Sequence, residues 1–331
     1  MYYNLPYCIK IHKSFGEAVL SRIKNDIMDK KYKVSRIEDY ILIPIRNIDE
    51  AKKILSEMGI EFQFVECVPE ERKSVDLERI PSYDLIGDVV IVRSKVLEEY
   101  SPEEIVSIIK KLHPKIKAIY VKEATETDYR ISKLRLLWGT DLEKVYTKEY
   151  GLRFAVLLKK VYYNPRLAEE HRRIAEMVRD HEMVFDLFTG IGGFAIHIAA
   201  LKKATIIAND INPYAIMCLI ENMLLNKKIL RGTIIVSLND AKRVVDVVKP
   251  RIADRIIANL PHNSLEFIDT YNYLAKKKTI LHLYLIASNE DDVLRKLNES
   301  ELTSVWDIIG LRKVLDYAPY KFIYRVDLMK S

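Results

Sequence analysis

The sequence predicts an α/β protein with a doubly wound, mostly parallel sheet in its second half, preceded by two smaller α+β domains. Three observations carry that expectation. From about Leu167 onward, short apolar strands alternate with helix-length segments. Before that point, two stretches each mix strand-like and helix-like periodicity. A charged tract bracketed by Pro69 and Pro81, "VPEERKSVDLERIPS", separates those two stretches from each other.

The first domain is expected over residues 1–68. Its strands are "YCIKIHK" and "YILIPIR", and its helices are "FGEAVLSRIKNDIM" and "DEAKKILSEMG". Residues 69–81 form the linker. The middle domain, 82–166, opens with "YDLIGDVVIVR", a strand interrupted by Gly87. Its helix "SPEEIVSIIKKLHP" starts at Ser101-Pro102 and stops at Pro114, and strands "IKAIYVKE" and "RFAVLLKKVYYN" follow. In the last domain, 167–331, the helix "AEEHRRIAEMVRD" precedes the strands "MVFDLF", "TIIAND", "GTIIVS", "RIIANL" and "TILHLYLIA". The chain closes on "TSVWDIIGLRKVLDYAPYKFIYRVDL", whose two strands read as an antiparallel hairpin at the sheet edge.

Composition narrows the class only mildly. Lys and Arg outnumber Asp and Glu by 53 to 47, and the pI is about 8.9, which tilts toward a polyanionic partner. Cys8, Cys67 and Cys218 are odd in number and far apart, so neither a disulfide framework nor a zinc ribbon is expected, and a reducing cytoplasm fits best. The histidines lack metal-ligand spacing. No signal-peptide core and no membrane-length apolar run is seen. A lone glutamine, Gln63, amid abundant Ile, Lys and Glu leans toward a thermophilic source.

Chemistry concentrates at the strand ends of the last domain. In "VFDLFTGIGGFAIHIAA" a strand ends at Asp186, a glycine turn covers Gly190, Gly192 and Gly193, and a helix begins at once. Such a turn serves either a dinucleotide or S-adenosylmethionine (SAM). The spacing departs from G-x-G-x-x-G, and an acid ahead of the glycines suits the ammonium of SAM while repelling a pyrophosphate. The next strand ends at Asp210, 24 residues on, where an acid can accept ribose hydroxyls, and "SLNDA" puts Asp240 near the adenine position. Phe188, Ile211 and Ala241 adjoin these acids and complete the expected cofactor pocket. Capping of the following helices is the plainer role for such acids, Asp240 above all. The fourth strand ends in "IIANLPHNS". Pro261 restricts the residue before it, holding Asn259 and nearby carbonyls rigid beside the methyl group of the donor.

Taken together, "SYDLIGDVVIV", "YRISKLRLLWG", "VYYNPRLAEEHRRIA", "FDLFTGIGGFAI", "IIANDINPYAI", "IIANLPHNSLEFID" and "LDYAPYKFIYRVDL" resemble, in order, the archaeal and eukaryotic tRNA guanine-37 N1-methyltransferases. The likeness spans nearly the whole chain, including the small N-terminal domain of the longer archaeal members. It implies a Rossmann-like class I methyltransferase that uses SAM and modifies guanosine 37 of tRNA, most simply as a cytoplasmic monomer. Two features depart from the family. Thr189-Gly190-Ile191-Gly192-Gly193-Phe194 replaces the usual A-G-V-G-P-F, and His197 stands where proline is common.

By the same resemblance, Glu170 in "NPRLAEEH" is the base that takes the N1 proton, and Arg130 in "DYRISKL" stabilises the charge on O6. Tyr162 and Arg166 match target-base positions, and His171 matches a residue touching the donor. Judged without the motif, Glu170 and Arg166 would read as solvated surface charge. Basic tracts at 110–117, 171–173, 226–231 and 276–278 are candidates for RNA phosphates. Relatives in the wybutosine pathway transfer an aminocarboxypropyl group or methylate C7 of a tricyclic base. Those that transfer the larger group typically lack Asn259-Leu260-Pro261, so the motif favours methyl transfer. A non-catalytic RNA-binding protein with the same fold is the reading from another class.

Overall fold

The computed structural model describes residues 7–23, 27–29, 31–70, 82–126 and 131–331. Its contacts divide the chain into Met1–Ile80 and Pro81–Ser331. Arg130 lies outside the described residues, as does most of the expected linker.

In the first unit, β1 (Tyr7–His12), α1 (Gly16–Ile23), β2 (Ser35–Ile37), β3 (Tyr40–Ile45), α2 (Ile48–Glu57) and β4 (Phe62–Glu66) make a four-stranded sheet of order β2-β3-β1-β4. Two elements, β2 and β4, were not anticipated. Ile9, Ile11, Val19, Ile43 and Leu55 form its core. The Asn47 side chain accepts from the Glu50 amide and starts α2. Cys8 and Cys67 form a disulfide with Cα atoms 5.9 Å apart, which corrects the expectation from cysteine spacing. The reason is non-local. β1 and β4 pair antiparallel, with Cys8 opposite Val65, so the end of β4 brings Cys67 back beside Cys8. Cys218 is free and buried.

The second unit begins with β5 (Tyr83–Ile86), β6 (Val89–Arg93), α3 (Pro102–Leu112), β7 (Ala118–Glu126) and β8 (Ile131–Gly139), which form a four-stranded sheet. The interrupted strand expected at Gly87 is a hairpin instead. Gly87 has φ +61°, and a Cβ there would meet the Tyr146 carbonyl oxygen at 2.1 Å. Ser101 and Glu104 close the capping box that starts α3. A second hairpin, β9 (Lys144–Glu149) and β10 (Leu152–Leu157), leads into α4 (Ala168–Met177).

The chain then runs through β11 (Met183–Asp186), α5 (Gly193–Leu201), β12 (Thr205–Asp210), α6 (Pro213–Asn226), β13 (Thr233–Leu238), β14 (Ala253–Ala258), α7 (Ile268–Leu274), β15 (Ala275–Ala287), α8 (Glu290–Glu299), β16 (Trp306–Ala318) and β17 (Lys321–Lys330). These strands make a seven-stranded sheet of order β13-β12-β11-β14-β15-β17-β16. It is parallel except for β17, which is antiparallel to both β15 and β16, so the terminal hairpin occupies one edge. Two apolar clusters, one containing residues of α4, α5 and α6 and the other residues of α7 and α8, cover this doubly wound sheet. The first cluster also takes in Ile86, Val89 and Tyr120, so the segments 82–166 and 167–331 share one core.

Candidate functional site

Strand order reverses on the two sides of β11, with β12 beside it on one flank and β14 on the other. In such a sheet the carboxyl ends at the reversal leave a crevice. The crevice is present here, and Tyr162, His171, Phe188, Gly190, Asn259 and Pro261, all expected from the sequence, line it together. Thr189, Phe194 and Ile323 line it too and were not anticipated.

The glycine turn closes one wall. Gly190 and Gly192 adopt φ +55° and +91°, the left-handed region that glycine tolerates. Asp186 is fully buried at the end of β11. Its Oδ2 accepts from the Thr189 hydroxyl at 2.7 Å, while its Oδ1 is buried with no hydrogen-bond partner among the described residues. Burial pushes this carboxyl up to about 7, against the Thr189 hydrogen bond that would lower it. Thr189 is one of the departures from the family turn, and here its hydroxyl donates to the buried acid. Asp210 accepts the Gly190 amide at 2.7 Å and the Asn212 amide at 2.9 Å, and burial again raises it. Ile211 beside it is half exposed. Asp240 accepts from the Lys242 amide and caps the short turn Ala241–Asp246, with Ala241 buried behind it.

α4 packs against this turn. The His171 ring sits against the backbone of Gly193, where an added Cβ would lie 2.4 Å from the ring. The imidazole thus fills the space that the family's usual proline would need. His171 Nδ1 donates to Glu149 Oε2 at 2.8 Å, and His197 Nε2 donates to the same oxygen at 3.0 Å. Tyr163 donates to Glu149 Oε1 at 2.7 Å. Burial works against the Glu149 charge, but the His171 charge and the three hydrogen bonds outweigh it and hold the carboxyl at about 2. The histidines that spacing left scattered are therefore gathered by the packing of α4 on α5. Glu149, His171 and His197 form a buried group with ligand-type atoms within 4.8 Å of one another. The three donors engage both oxygens of the carboxylate.

Glu170 is not among the residues lining the crevice. It is 4% exposed and turned toward the sheet, where its Oε1 accepts from the Tyr284 hydroxyl at 2.8 Å and from Arg325 at 2.7 Å. No donor among the described residues reaches Oε2. Arg166 lies outside the crevice and bonds Asp84 at 2.7 Å, tying the start of α4 to β5. Tyr284 and Arg325 escaped the sequence reading, although a polar tip and a cation inside apolar strands are themselves a signal.

Comparison with known proteins places this crevice in context. The family model described as "TRM5/TYW2 methyltransferase domain" matches residues 145–305. The "TYW2 N-terminal domain" matches 64–142, and the "tRNA methyltransferase 5 N-terminal domain" matches 8–54. A Methanocaldococcus jannaschii protein named tRNA (guanine(37)-N(1))-methyltransferase Trm5b is 34% identical, with 98% of each chain covered. The chain belongs to the TRM5/TYW2 methyltransferase family. A Pyrococcus abyssi Trm5b crystal structure superposes with TM-score 0.69 at 28% identity, covering 99% of this chain and 100% of that one. A structure titled as a complex of aTrm5 and tRNALeu gives TM-score 0.66 at 30% identity over 98% of this chain and 100% of that one. An M. jannaschii protein named tRNA(Phe) (4-demethylwyosine(37)-C(7)) aminocarboxypropyltransferase is 33% identical over 72% of this chain and 93% of its own length. TRM5/TYW2 membership settles the class I methyltransferase fold and the enzyme class. Among the described residues no helix is long and apolar enough to cross a membrane.

Proposed function

We propose that this TRM5/TYW2 protein transfers the methyl group of SAM to N1 of guanosine 37 in tRNA. The observation that carries this reading is the meeting, in one crevice, of the glycine turn, Asn259-Leu260-Pro261 and the Tyr162–His171 segment. Full-length relatives named for the same reaction support it. The residues fit the cofactor. The orphaned Oδ1 of Asp186 suits an ammonium group, and an acid already bonded to two amides, Asp210, keeps lone pairs for ribose hydroxyls. When bound, SAM supplies a methyl group on a positively charged sulfur.

The protein's own groups have the remaining tasks. Guanine N1 is a poor nucleophile until its proton leaves, and Glu170, through the oxygen that no donor occupies, is the base for that proton. Arg130 is the proposed cation for the charge that spreads to O6. Asn259, held by Pro261, orients the acceptor beside the methyl, and Tyr162 offers an aromatic face for an unstacked base. Asn259-Leu260-Pro261 favours methyl transfer over the aminocarboxypropyl chemistry of the wybutosine branch.

The test is nucleoside mass spectrometry after reaction with tRNA bearing guanosine or adenosine at position 37. One added methyl on guanosine alone is the expected result. A larger adduct, or methylation of adenosine, overturns the reading. Glu170→Gln should slow single-turnover methyl transfer by about 100-fold or more while SAM affinity stays within a factor of about two.

A further inference from the structure

A line of polar and charged side chains leaves Glu170 and crosses one face of the sheet. Arg325, besides bonding Glu170, donates from Nη2 to Asp327 Oδ2 at 3.0 Å. His282 Nδ1 is 2.5 Å from Asp327 Oδ1, and His282 Nε2 is 2.7 Å from Arg255 Nη1. A guanidinium can only donate, so His282 Nε2 accepts and its ring proton sits on Nδ1, donated to Asp327. Arg255 then holds Glu182 through two hydrogen bonds, 2.8 and 3.1 Å long. Strand register builds the line, with Tyr284 opposite Arg325 and His282 opposite Asp327.

This line is no proton wire, because arginine does not give up a proton in proteins and two arginines interrupt it. Its effect is on charge and direction. The Glu170 and Arg325 side chains are 4% and 6% exposed, so the pair is nearly dry, and Asp327 fixes the guanidinium from behind. The groups facing Glu170 are Tyr284 from β15 and Arg325 from β17, with Glu169, His171 and Arg173 as neighbours on its own helix.

We propose that Arg325 and Tyr284 are positioning residues for methyl transfer. They pin one oxygen of Glu170 against the sheet and leave the other oxygen for the proton of the acceptor nitrogen. The proposal rests on Glu170 being the base. Take away the cation and the carboxylate is harder to ionise, so the rate should need higher pH.

The experiment is the pH profile of single-turnover methyl transfer to a guanosine-37 tRNA transcript, with SAM affinity and thermal unfolding measured on each protein. Arg325→Gln should move the acid limb up by about one pH unit or more, with a loss of about tenfold on the acid side of the limb that is recovered at higher pH. Tyr284→Phe, which deletes one oxygen and leaves the ion pair, should move the limb the same way by about half a unit. If Arg325→Gln does not fold, Tyr284→Phe decides. A uniform rate loss with the limb unmoved overturns the proposal. Glu170→Gln separates the two readings. If that variant stays near full activity, the base assignment itself is wrong. If it is inactive and the limb is unmoved in the other variants, the positioning role alone is wrong.

Discussion

Asp186 carries a consequence for how this enzyme senses pH. Burial lifts its carboxyl to about 7, so near neutrality the site is half protonated before a ligand arrives. With Asp186 as the proposed partner of the SAM ammonium, which binds the ionised form, SAM affinity should rise with pH by about tenfold per unit below 7 and level off above it. Calorimetry in buffers of different ionisation enthalpy should show a proton released on binding at pH 6 and little release at pH 8. The sign for stability is opposite. An acid whose folded-state value is raised stabilises the fold fully below about 4 and loses that contribution as pH rises through 7, so the ligand-free protein should melt lower at pH 8 than at pH 5. Gly193 gives a second test at this scale. In Gly193→Ala the new methyl would lie 2.4 Å from the His171 ring, forcing the imidazole off Glu149, and SAM affinity should drop by about tenfold with a lower melting temperature.

At the level of elements, side chains of α6 do the work of a strand. The Arg153 and Ala155 amides donate to the Asn226 and Asn222 side chains at 2.9 and 2.6 Å, and Asn226 returns a bond to the Arg153 carbonyl at 2.7 Å. Asn222 also reaches the Ile191 carbonyl in the glycine turn at 2.9 Å, linking the β9–β10 hairpin to the crevice. Asn222→Ala leaves buried amide and carbonyl groups unpaired. It should cost about 2–4 kcal/mol and lower the melting temperature by roughly 5–10 °C, as scanning calorimetry would register. Such ties explain which parts of the fold were legible in advance. Strands and helices with strong local periodicity, and the α/β class they add up to, could be read from the sequence, as could the position of the glycine turn and the proline after Asn259. Pairings set by distant segments could not. Gly87 makes a hairpin because the Tyr146 carbonyl leaves no room for a side chain, and Glu170 meets a cation 155 residues further along the chain. Spacing also missed His171 and His197, which meet only because two helices pack face to face.

For the molecule as a whole, the disulfide is confined to the first unit, whose core is small. Closing a loop of this length contributes about 4 kcal/mol by restricting the unfolded chain. Dithiothreitol, or Cys8→Ser, should therefore lower the melting of the N-terminal unit and leave the transition of residues 81–331 in place; a shift of both together would contradict the division. Within the second unit, the apolar cluster joins Ile86 and Val89 to Tyr284 and Ile323. Order of synthesis then matters. The cluster that Ile86 and Val89 enter early in synthesis is complete only when Ile323 of the final hairpin has been made, so nascent chains paused before that hairpin should recruit chaperones and be cut readily by protease, whereas those released after it should resist both.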